Sequence, residues 1–327
     1  MGIDGKRQNE SKKTRLDRGS LPFAIRASVA ALVLTGILPG HMDSILASDN
    51  RATTPLTEGH PLQKVTVGDI QISYRIFGNG EPLLLLHGFG GSMDVWDPTL
   101  LKLLSESHTV IVFNNRGVGN TTLGEKQYSM SQLAEDASGL LDALGIHKAD
   151  VMGWSMGGMI AQELAVSHPD RINRLILYAT SCGGEGFIPP QQDALNAFAN
   201  RSGSAEQRWA RVVPYLFTNE WTETHPSYWD AMPRNTQVSS NNTLNLELDV
   251  SFSWKGVCNQ FEQFKGPTLI ITGTEDQMIP SANSLAIAER IPGAWLLQLE
   301  NGGHGMMYQY PEKMSKLIQT FLDVTQS

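Results

Sequence analysis

Cysteine is scarce in this chain, because only Cys182 and Cys258 among its 327 residues are cysteines. Two thiols cannot supply the four ligands of a structural zinc site, so a zinc-stabilised fold is excluded. In an oxidising compartment the two residues could pair, whereas in a reducing one they would remain buried thiols. The sequence leaves both states open.

Basic residues are also in short supply beyond residue 47, where 18 Lys and Arg stand against 29 Asp and Glu. A surface of that sign repels phosphate backbones, which argues against nucleic acid as a partner. The sequence contains neither a metal-ligand motif nor a nucleotide-binding glycine loop. We therefore expect a small-molecule substrate, no metal and no cofactor, and the oligomeric state stays open.

Long apolar runs are missing as well. The run ASVAALVLTGIL at 27–38 has twelve residues, whereas a helix that crosses a bilayer needs about 20. A basic segment precedes this run, and a small-residue segment that ends near Ala47 follows it. This pattern predicts an export signal at 1–47 and a periplasmic or secreted protein, with membrane contact only through this segment if it is an uncleaved anchor.

The remaining chain alternates short apolar runs with longer amphipathic ones, which predicts an α/β fold with a mostly parallel sheet covered by helices. Residues 65–81 predict two antiparallel strands at the start. Continuous apolar runs predict strands buried on both faces at 82–88, 109–114, 149–154, 172–180, 266–273 and 294–300. Helical spacing predicts helices at 129–145, 156–167, 280–291 and 311–324.

The sequence GWSMGG at 153–158 places Ser155 between a predicted strand and a predicted helix. Gly153 and Gly157 complete the pattern G-x-S-x-G, which is typical of a turn so tight that side chains beside the serine would meet backbone. Such a turn exposes the serine hydroxyl at the carboxyl end of the sheet, where open α/β sheets bind ligands. We therefore predict that Ser155 is a nucleophile.

A serine needs a base that takes its proton and a carboxylate that orients the base. His304 lies in the glycine-rich sequence NGGHGMM, after the last predicted strand, and is the predicted base. Asp276 follows the preceding strand and is the predicted acid. Glu275 beside it and Glu185 after an earlier strand remain alternatives for that role.

The sequence HGFGG at 87–91 ends a central predicted strand. Backbone N–H groups in such a loop can stabilise an oxyanion, and we assign this role to the amides of Phe89 and Met156. The side chains of Phe89 and Trp154 are the predicted substrate contacts. The residues predicted to support the loop and the turn are His87, Gly88, Gly90, Gly153 and Gly157.

These motifs together resemble those of the α/β-hydrolase superfamily across about residues 62–325. The matching segments are HGFGG, NNRGVGNT, GWSMGG, GMIAQELAVSHPDRI, GTEDQMIP and GGHGMM. The resemblance implies an eight-stranded, mostly parallel sheet flanked by helices, with a helical cap inserted after strand 6. The expected domains are the leader 1–47, the first part of the core 48–182, the cap 183–257 and the second part of the core 258–327.

The predicted cap is rich in aromatic residues, which favours a pocket for an apolar acyl or alcohol group. Its aromatic residues are Phe198, Trp209, Tyr215, Phe217, Trp221, Tyr228, Trp229 and Trp254. Packing of these rings against one another, without any ligand, is the simpler interpretation for each single ring.

Several functions fit this set of residues. The first is a serine hydrolase that cleaves a carboxylester or lactone through an acyl-enzyme. The second is a carbon–carbon bond hydrolase or a proline iminopeptidase-like aminopeptidase. An aminopeptidase requires a carboxylate for the amine of its substrate, and Glu206, Glu220, Glu223 or Glu247 could supply it. A protein that binds a ligand on this fold without catalysis is the alternative of another class.

Overall fold

Eight strands between Gln63 and Leu299 form a single sheet in the computed structural model, which describes residues 31–32, 59–227, 237 and 239–325. The rest of the predicted leader, together with Tyr228 and Trp229, lies outside the described residues. The strands are β1 Gln63–Val67, β2 Ile70–Phe77, β3 Glu81–Leu86, β4 His108–Phe113, β5 Ala149–Trp154, β6 Ile172–Tyr178, β7 Thr268–Gly273 and β8 Trp295–Leu299.

The strand order is β1-β2-β4-β3-β5-β6-β7-β8, and only β2 runs antiparallel to its neighbours. The two-residue segment Ala31–Leu32 pairs in parallel with β8 and extends that edge. The central strands β5 and β7 are buried at every position, which accounts for their continuous apolar runs. The predicted eight-stranded, mostly parallel sheet is confirmed.

Helices cover both faces of the sheet. Their bounds are α1 Pro98–Ser105, α2 Met130–Ala143, α3 Met156–Ser167, α4 Gln192–Ala199, α5 Ala205–Val212, α6 Asn219–Thr224, α7 Asn241–Ser253, α8 Ala282–Ala288, α9 Met306–Gln309 and α10 Pro311–Val324. Leu84 and Leu86 of β3 pack with α2, α3 and α8, whereas Leu83 and Leu85 pack with α1 and α10. Among the described residues, no helix has the length and apolarity that a bilayer crossing requires.

The helix α1 was not among the predicted helices. Its N-terminus carries clear signals, because the Asp97 carboxylate accepts a hydrogen bond from Leu100 N at 2.9 Å and Pro98 occupies the first helical position. Leu100 and Leu104 bury its inner face against the sheet. The helix is only eight residues long, too short for its periodicity to stand out from the apolar runs around it.

Helices α4 to α7 lie between β6 and β7, so the predicted helical insert after strand 6 is confirmed. Part of its aromatic content packs internally, because the rings of Phe217 and Trp221 stack with centroids 4.8 Å apart. Another part meets the core, because the rings of Phe198 and Phe89 are 5.4 Å apart. The insert therefore covers the loop that follows β3.

A disulfide joins Cys182 and Cys258, which lie 76 positions apart at the two ends of the insert. The main chain pairs at the same place, because Val257 N donates to Cys182 O at 3.0 Å. Closing a loop of this length stabilises the fold by about 4.5 kcal/mol in the chain-entropy account. The structure thereby selects the bonded state from the two that the sequence leaves open.

Candidate active site

Ser155 occupies the turn between β5 and α3 and adopts φ 57° and ψ −120°. A non-glycine residue in this conformation is strained by about 1 to 3 kcal/mol, a cost typical of functional positions. The surrounding backbone holds the turn, because Ser155 N donates to Tyr178 O at 3.0 Å and Thr180 Oγ1 donates to Ser155 O at 2.7 Å. The Ser155 side chain stays partly exposed.

The two glycines that flank Ser155 are required by close backbone contacts. A Cβ atom on Gly153 would lie 2.3 Å from Gly157 O, and one on Gly157 would lie 2.0 Å from Leu86 O. Both distances are far below van der Waals contact, so a side chain at either position would force β5, α3 and the end of β3 apart. The structure places both predicted supporting glycines in the tight turn.

The His304 imidazole pairs with the Asp276 carboxylate. His304 Nδ1 and Asp276 Oδ2 are 2.8 Å apart, and both side chains are almost fully buried. The second carboxylate oxygen, Asp276 Oδ1, accepts hydrogen bonds from Met278 N and Ile279 N, each at 2.8 Å. The carboxylate is thereby held at both oxygens, with one of them directed at the imidazole.

The two alternative acids lie elsewhere. Glu275 and Glu185 are exposed. Neither has a hydrogen bond to His304 among the described residues, whose only carboxylate partner there is Asp276. Of the three candidate acids, the structure brings Asp276 alone to the predicted base.

The backbone of His304 is anchored to the strands that precede and follow α3. Trp154 Nε1 and Tyr178 Oη both donate to His304 O, at 3.1 and 2.8 Å. The Trp154 ring is only 5% exposed and lies 5.5 Å from the imidazole, centroid to centroid. Trp154, a predicted substrate contact, is thus placed as a support of the histidine loop.

The insert also holds the histidine loop, because Gly305 N donates to Leu216 O at 2.7 Å. This contact joins the residue after His304 to the segment between α5 and α6. The sequence analysis missed it, and no local pattern signals a backbone contact between residues so far apart along the chain. Movement of the insert would therefore be transmitted to His304.

Ser155 and His304 lie at the same edge of the sheet, because Trp154 precedes the serine and contacts the imidazole. Among the described residues, Ser155 Oγ and His304 Nε2 are not joined by a hydrogen bond. Hydrogen bonds between catalytic groups are often long in ligand-free enzymes and shorten when the substrate binds. The arrangement supplies a strained serine, an oriented imidazole and a fixed carboxylate.

The HGFGG loop lies beside Ser155, because a Cβ atom on Gly88 would be 3.1 Å from Ser155 Cβ and 3.7 Å from Ser155 Oγ. Met156 begins α3, and the first N–H groups of a helix have no partner within the helix. The amides of Phe89 and Met156 therefore flank the serine from two sides. The Phe89 ring is partly exposed and contacts Phe198 of the insert.

His87 supports this loop from inside. Its Nδ1 lies 2.9 Å from Gly88 O, and its Nε2 accepts a hydrogen bond from Asn115 N at 3.3 Å. Complete burial lowers the pKa of His87 to about 4, so the imidazole is neutral near pH 7. Neutral imidazole can donate through one nitrogen and accept through the other, as both contacts require.

Gly90 links the loop to the insert, because Gly90 N donates to Glu247 Oε2 of α7 at 3.0 Å. The three other insert carboxylates considered for an aminopeptidase, Glu206, Glu220 and Glu223, are exposed. Within the described ranges, no group of three or more His, Cys, Asp or Glu side chains could hold a metal ion.

Comparison with known protein families places this geometry in context. A family model described as alpha/beta hydrolase fold matches residues 81–311. The matched segment makes up well over half of the chain and contains Ser155, Asp276 and His304.

Individual proteins that resemble the chain carry the names of several hydrolases. "Putative carbamate hydrolase RutD" of Azorhizobium caulinodans is 27% identical over 262 residues, which cover 78% of this chain and 96% of that protein. The 2-hydroxymuconate semialdehyde hydrolase of Pseudomonas putida is 30% identical over 266 residues, with coverage of 75% and 88%. The crystal structure of the enol-lactonase from Burkholderia xenovorans LB400 matches with a TM-score of 0.69 at 25% identity, with coverage of 80% and 100%.

Proposed function

The chain belongs to the α/β-hydrolase fold family, and we propose that it is a serine hydrolase that cleaves a carboxylester or lactone through an acyl-enzyme. The observation that carries the proposal is the hydrogen bond of 2.8 Å between His304 Nδ1 and Asp276 Oδ2, at the same edge of the sheet as the strained Ser155. The enol-lactonase among the similar structures supports an ester-like bond.

In the first half of the reaction, Ser155 Oγ attacks the carbonyl carbon while His304 Nε2 accepts the hydroxyl proton. The charge on the imidazolium is stabilised by Asp276, and the charge on the carbonyl oxygen by the amides of Phe89 and Met156. His304 then returns the proton to the leaving alcohol as the carbon–oxygen bond breaks. The acyl group remains on Ser155.

In the second half, a water molecule attacks the acyl carbon and His304 accepts its proton. Collapse of this intermediate returns the proton to Ser155 Oγ and releases the acid. The two halves use the same groups in the same roles, which is why one oriented histidine is sufficient.

The aromatic residues of the insert support a substrate with an apolar part. Phe89 and Phe198 contact each other next to the HGFGG loop, and Phe217 contacts Tyr308 close to the histidine loop. A carbon–carbon bond hydrolase is the second candidate, favoured by the similarity to the 2-hydroxymuconate semialdehyde hydrolase. Assays of p-nitrophenyl esters, lactones, aminoacyl arylamides and a vinylogous diketone would rank these substrate classes.

Covalent capture tests the proposal directly. A fluorophosphonate should label the folded wild-type protein once, because an activated serine hydroxyl attacks phosphorus as it attacks a carbonyl. Ser155→Ala and His304→Ala should abolish labelling, whereas Ser167→Ala, a change at an exposed serine at the end of α3, should leave it intact. Folded protein that resists the reagent would favour a non-catalytic ligand-binding protein.

We also propose that the protein is exported. The basic segment and the twelve-residue apolar run within 1–47 support this location, as does a disulfide, which persists mainly in oxidising compartments. Mass spectrometry of the natively expressed protein should find a mature chain that begins near residue 48, outside the cytoplasm. A full-length chain recovered only from the cytoplasm would contradict this proposal.

A further inference from the structure

Helix α7 of the insert carries a carboxylate on its inner face. Leu244, Glu247 and Val250 are three residues apart and buried, and the Glu247 side chain is 0% exposed. A charged group in such a position is costly unless it is paired, and it would pack less favourably than leucine at the same place. Its presence there calls for a chemical reason.

Only one of the two oxygens of Glu247 has a partner. Glu247 Oε2 accepts the hydrogen bond from Gly90 N, whereas Glu247 Oε1 is buried without a hydrogen bond among the described residues. Burial raises the pKa of Glu247 to about 8, although the Gly90 amide and the charge of Arg201 oppose this rise. A buried oxygen without a partner typically costs more than a hydrogen bond gains.

Two neighbours of Glu247 also have unpartnered polar atoms. Tyr128 Oη, Arg201 Nε and Arg201 Nη2 are buried without a hydrogen bond in the described part of the chain. The Arg201 guanidinium carbon lies 5.2 Å from the centre of the Phe89 ring. The charge of Glu247 helps to raise the pKa of Tyr128, so the two side chains are close, and Glu247 forms no ion pair with Arg201 among the described residues.

These unpartnered atoms lie close to the proposed nucleophile. Gly90, which binds Glu247, is two residues from Gly88, which lies beside Ser155. Two residues of extended chain span at most about 7 Å. A substrate held at Ser155 therefore needs an arm of only a few bonds to reach Glu247.

We propose that Glu247, Tyr128 and Arg201 form a polar subsite, in which Glu247 Oε1 accepts a hydrogen bond from an N–H or O–H group of the substrate. Arg201 and Tyr128 supply donors for a neighbouring carbonyl oxygen on the same arm. The substrate class is thus an ester or lactone whose apolar part carries a short amide-like or hydroxylated arm. The inference rests on the proposed serine-hydrolase function and deepens it.

Glu247 could instead act only as a support for the HGFGG loop, and Glu247→Gln separates the two roles. The amide oxygen of the new side chain can still accept the hydrogen bond from Gly90 N, so the loop keeps its contact. The second oxygen is replaced by NH2, which donates and repels a donor on the substrate. A supporting role predicts equal effects on all substrates, whereas the subsite predicts an effect only on those with the donor.

The test compares two esters that differ in one group. The p-nitrophenyl ester of N-acetylglycine carries N–H where the p-nitrophenyl ester of 4-oxopentanoic acid carries CH2, and N-acetyl-β-alanine and 5-oxohexanoic acid form a second pair with a longer arm. We expect wild-type kcat/KM to favour the N–H member of at least one pair, and Glu247→Gln to lower that ratio by roughly 10- to 100-fold. The comparison between variants cancels the intrinsic reactivity of the two esters.

Matched variants check the assignment. Tyr128→Phe should lower kcat/KM for both members alike, because both carry the carbonyl oxygen, and Glu206→Gln, at an exposed glutamate of the insert, should change neither. L-alanine p-nitroanilide against propionyl p-nitroanilide shows whether an ammonium group can replace the neutral donor. A ratio that is the same in wild type and Glu247→Gln would overturn the subsite.

Binding without turnover keeps this inference distinct from the proposed function. Calorimetry on Ser155→Ala with the methyl esters of the same two pairs should show tighter binding of the N–H member, and Glu247→Gln in that background should remove the difference. Loss of fluorophosphonate labelling and turnover together with this preference would contradict the serine hydrolase and keep the subsite. Normal turnover with equal binding of both members would do the reverse.

Discussion

Replacement of Ser155 by alanine should lower kcat for an activated ester by on the order of a millionfold, with the fold unchanged. The variant keeps the amides of Phe89 and Met156 and the imidazole of His304 but has no atom that can carry the acyl group. Residual hydrolysis would come from water attack assisted by the remaining groups, which typically stays about 1,000-fold or more above the uncatalysed rate. Kinetics with p-nitrophenyl butyrate measure the loss, and circular dichroism checks the fold.

A double variant makes this prediction specific. His304→Ala should cost about as much as Ser155→Ala, and both changes together should cost no more than either alone, because serine and histidine act as one unit. Additive losses would mean that the two residues work independently. A loss below about 100-fold in Ser155→Ala would identify another nucleophile and overturn the assignment.

The architecture was predictable because its signals are local and repeated. A strand buried on both faces must be continuously apolar, as in β5 and β7, and helices between such strands show a different period. The strand β5 and the helix α3 begin and end at the predicted residues, 149–154 and 156–167. Other elements shift by one to three residues at their ends, because capping and side-chain contacts decide the last turn of a helix or the last pair of a strand.

The turn at Ser155 was predictable for the same reason. Its glycines, its strand and its helix lie within a few residues of one another, so the sequence pattern specifies the geometry by itself. The choice among Glu185, Glu275 and Asp276 required the structure, because all three follow strands at the same edge of the sheet. Only the fold of the loop after β7 turns Asp276 toward His304 and leaves Glu275 exposed.

Contacts between the insert and the core were beyond the sequence. Gly90 and Glu247 are 157 positions apart, and their hydrogen bond depends on where α7 crosses the HGFGG loop. One signal was nevertheless present, since Glu247 lies in the apolar stripe formed by Leu244 and Val250. A carboxylate at such a position in an amphipathic helix indicates a buried polar contact from the helical spacing alone.

Asp276→Asn is the change whose effect depends most directly on the observed geometry, and we expect it to lower kcat by about 10,000-fold. Asp276 Oδ1 accepts hydrogen bonds from Met278 N and Ile279 N. An asparagine must place its carbonyl oxygen there, because its NH2 group cannot accept from two backbone amides. The NH2 group is then forced to face His304 Nδ1.

A donor opposite His304 Nδ1 stabilises the tautomer with its proton on Nε2, and in that form His304 cannot accept the proton of Ser155. The loss should appear in kcat more than in KM, because the substrate still binds, and it should be smaller with leaving groups that need no proton. The matched control is Glu275→Gln at the exposed neighbour, which should retain near wild-type kcat. If Asp276→Asn remained within tenfold of wild type, the carboxylate would be a structural group and the orientation of His304 would depend on Trp154 and Tyr178 alone.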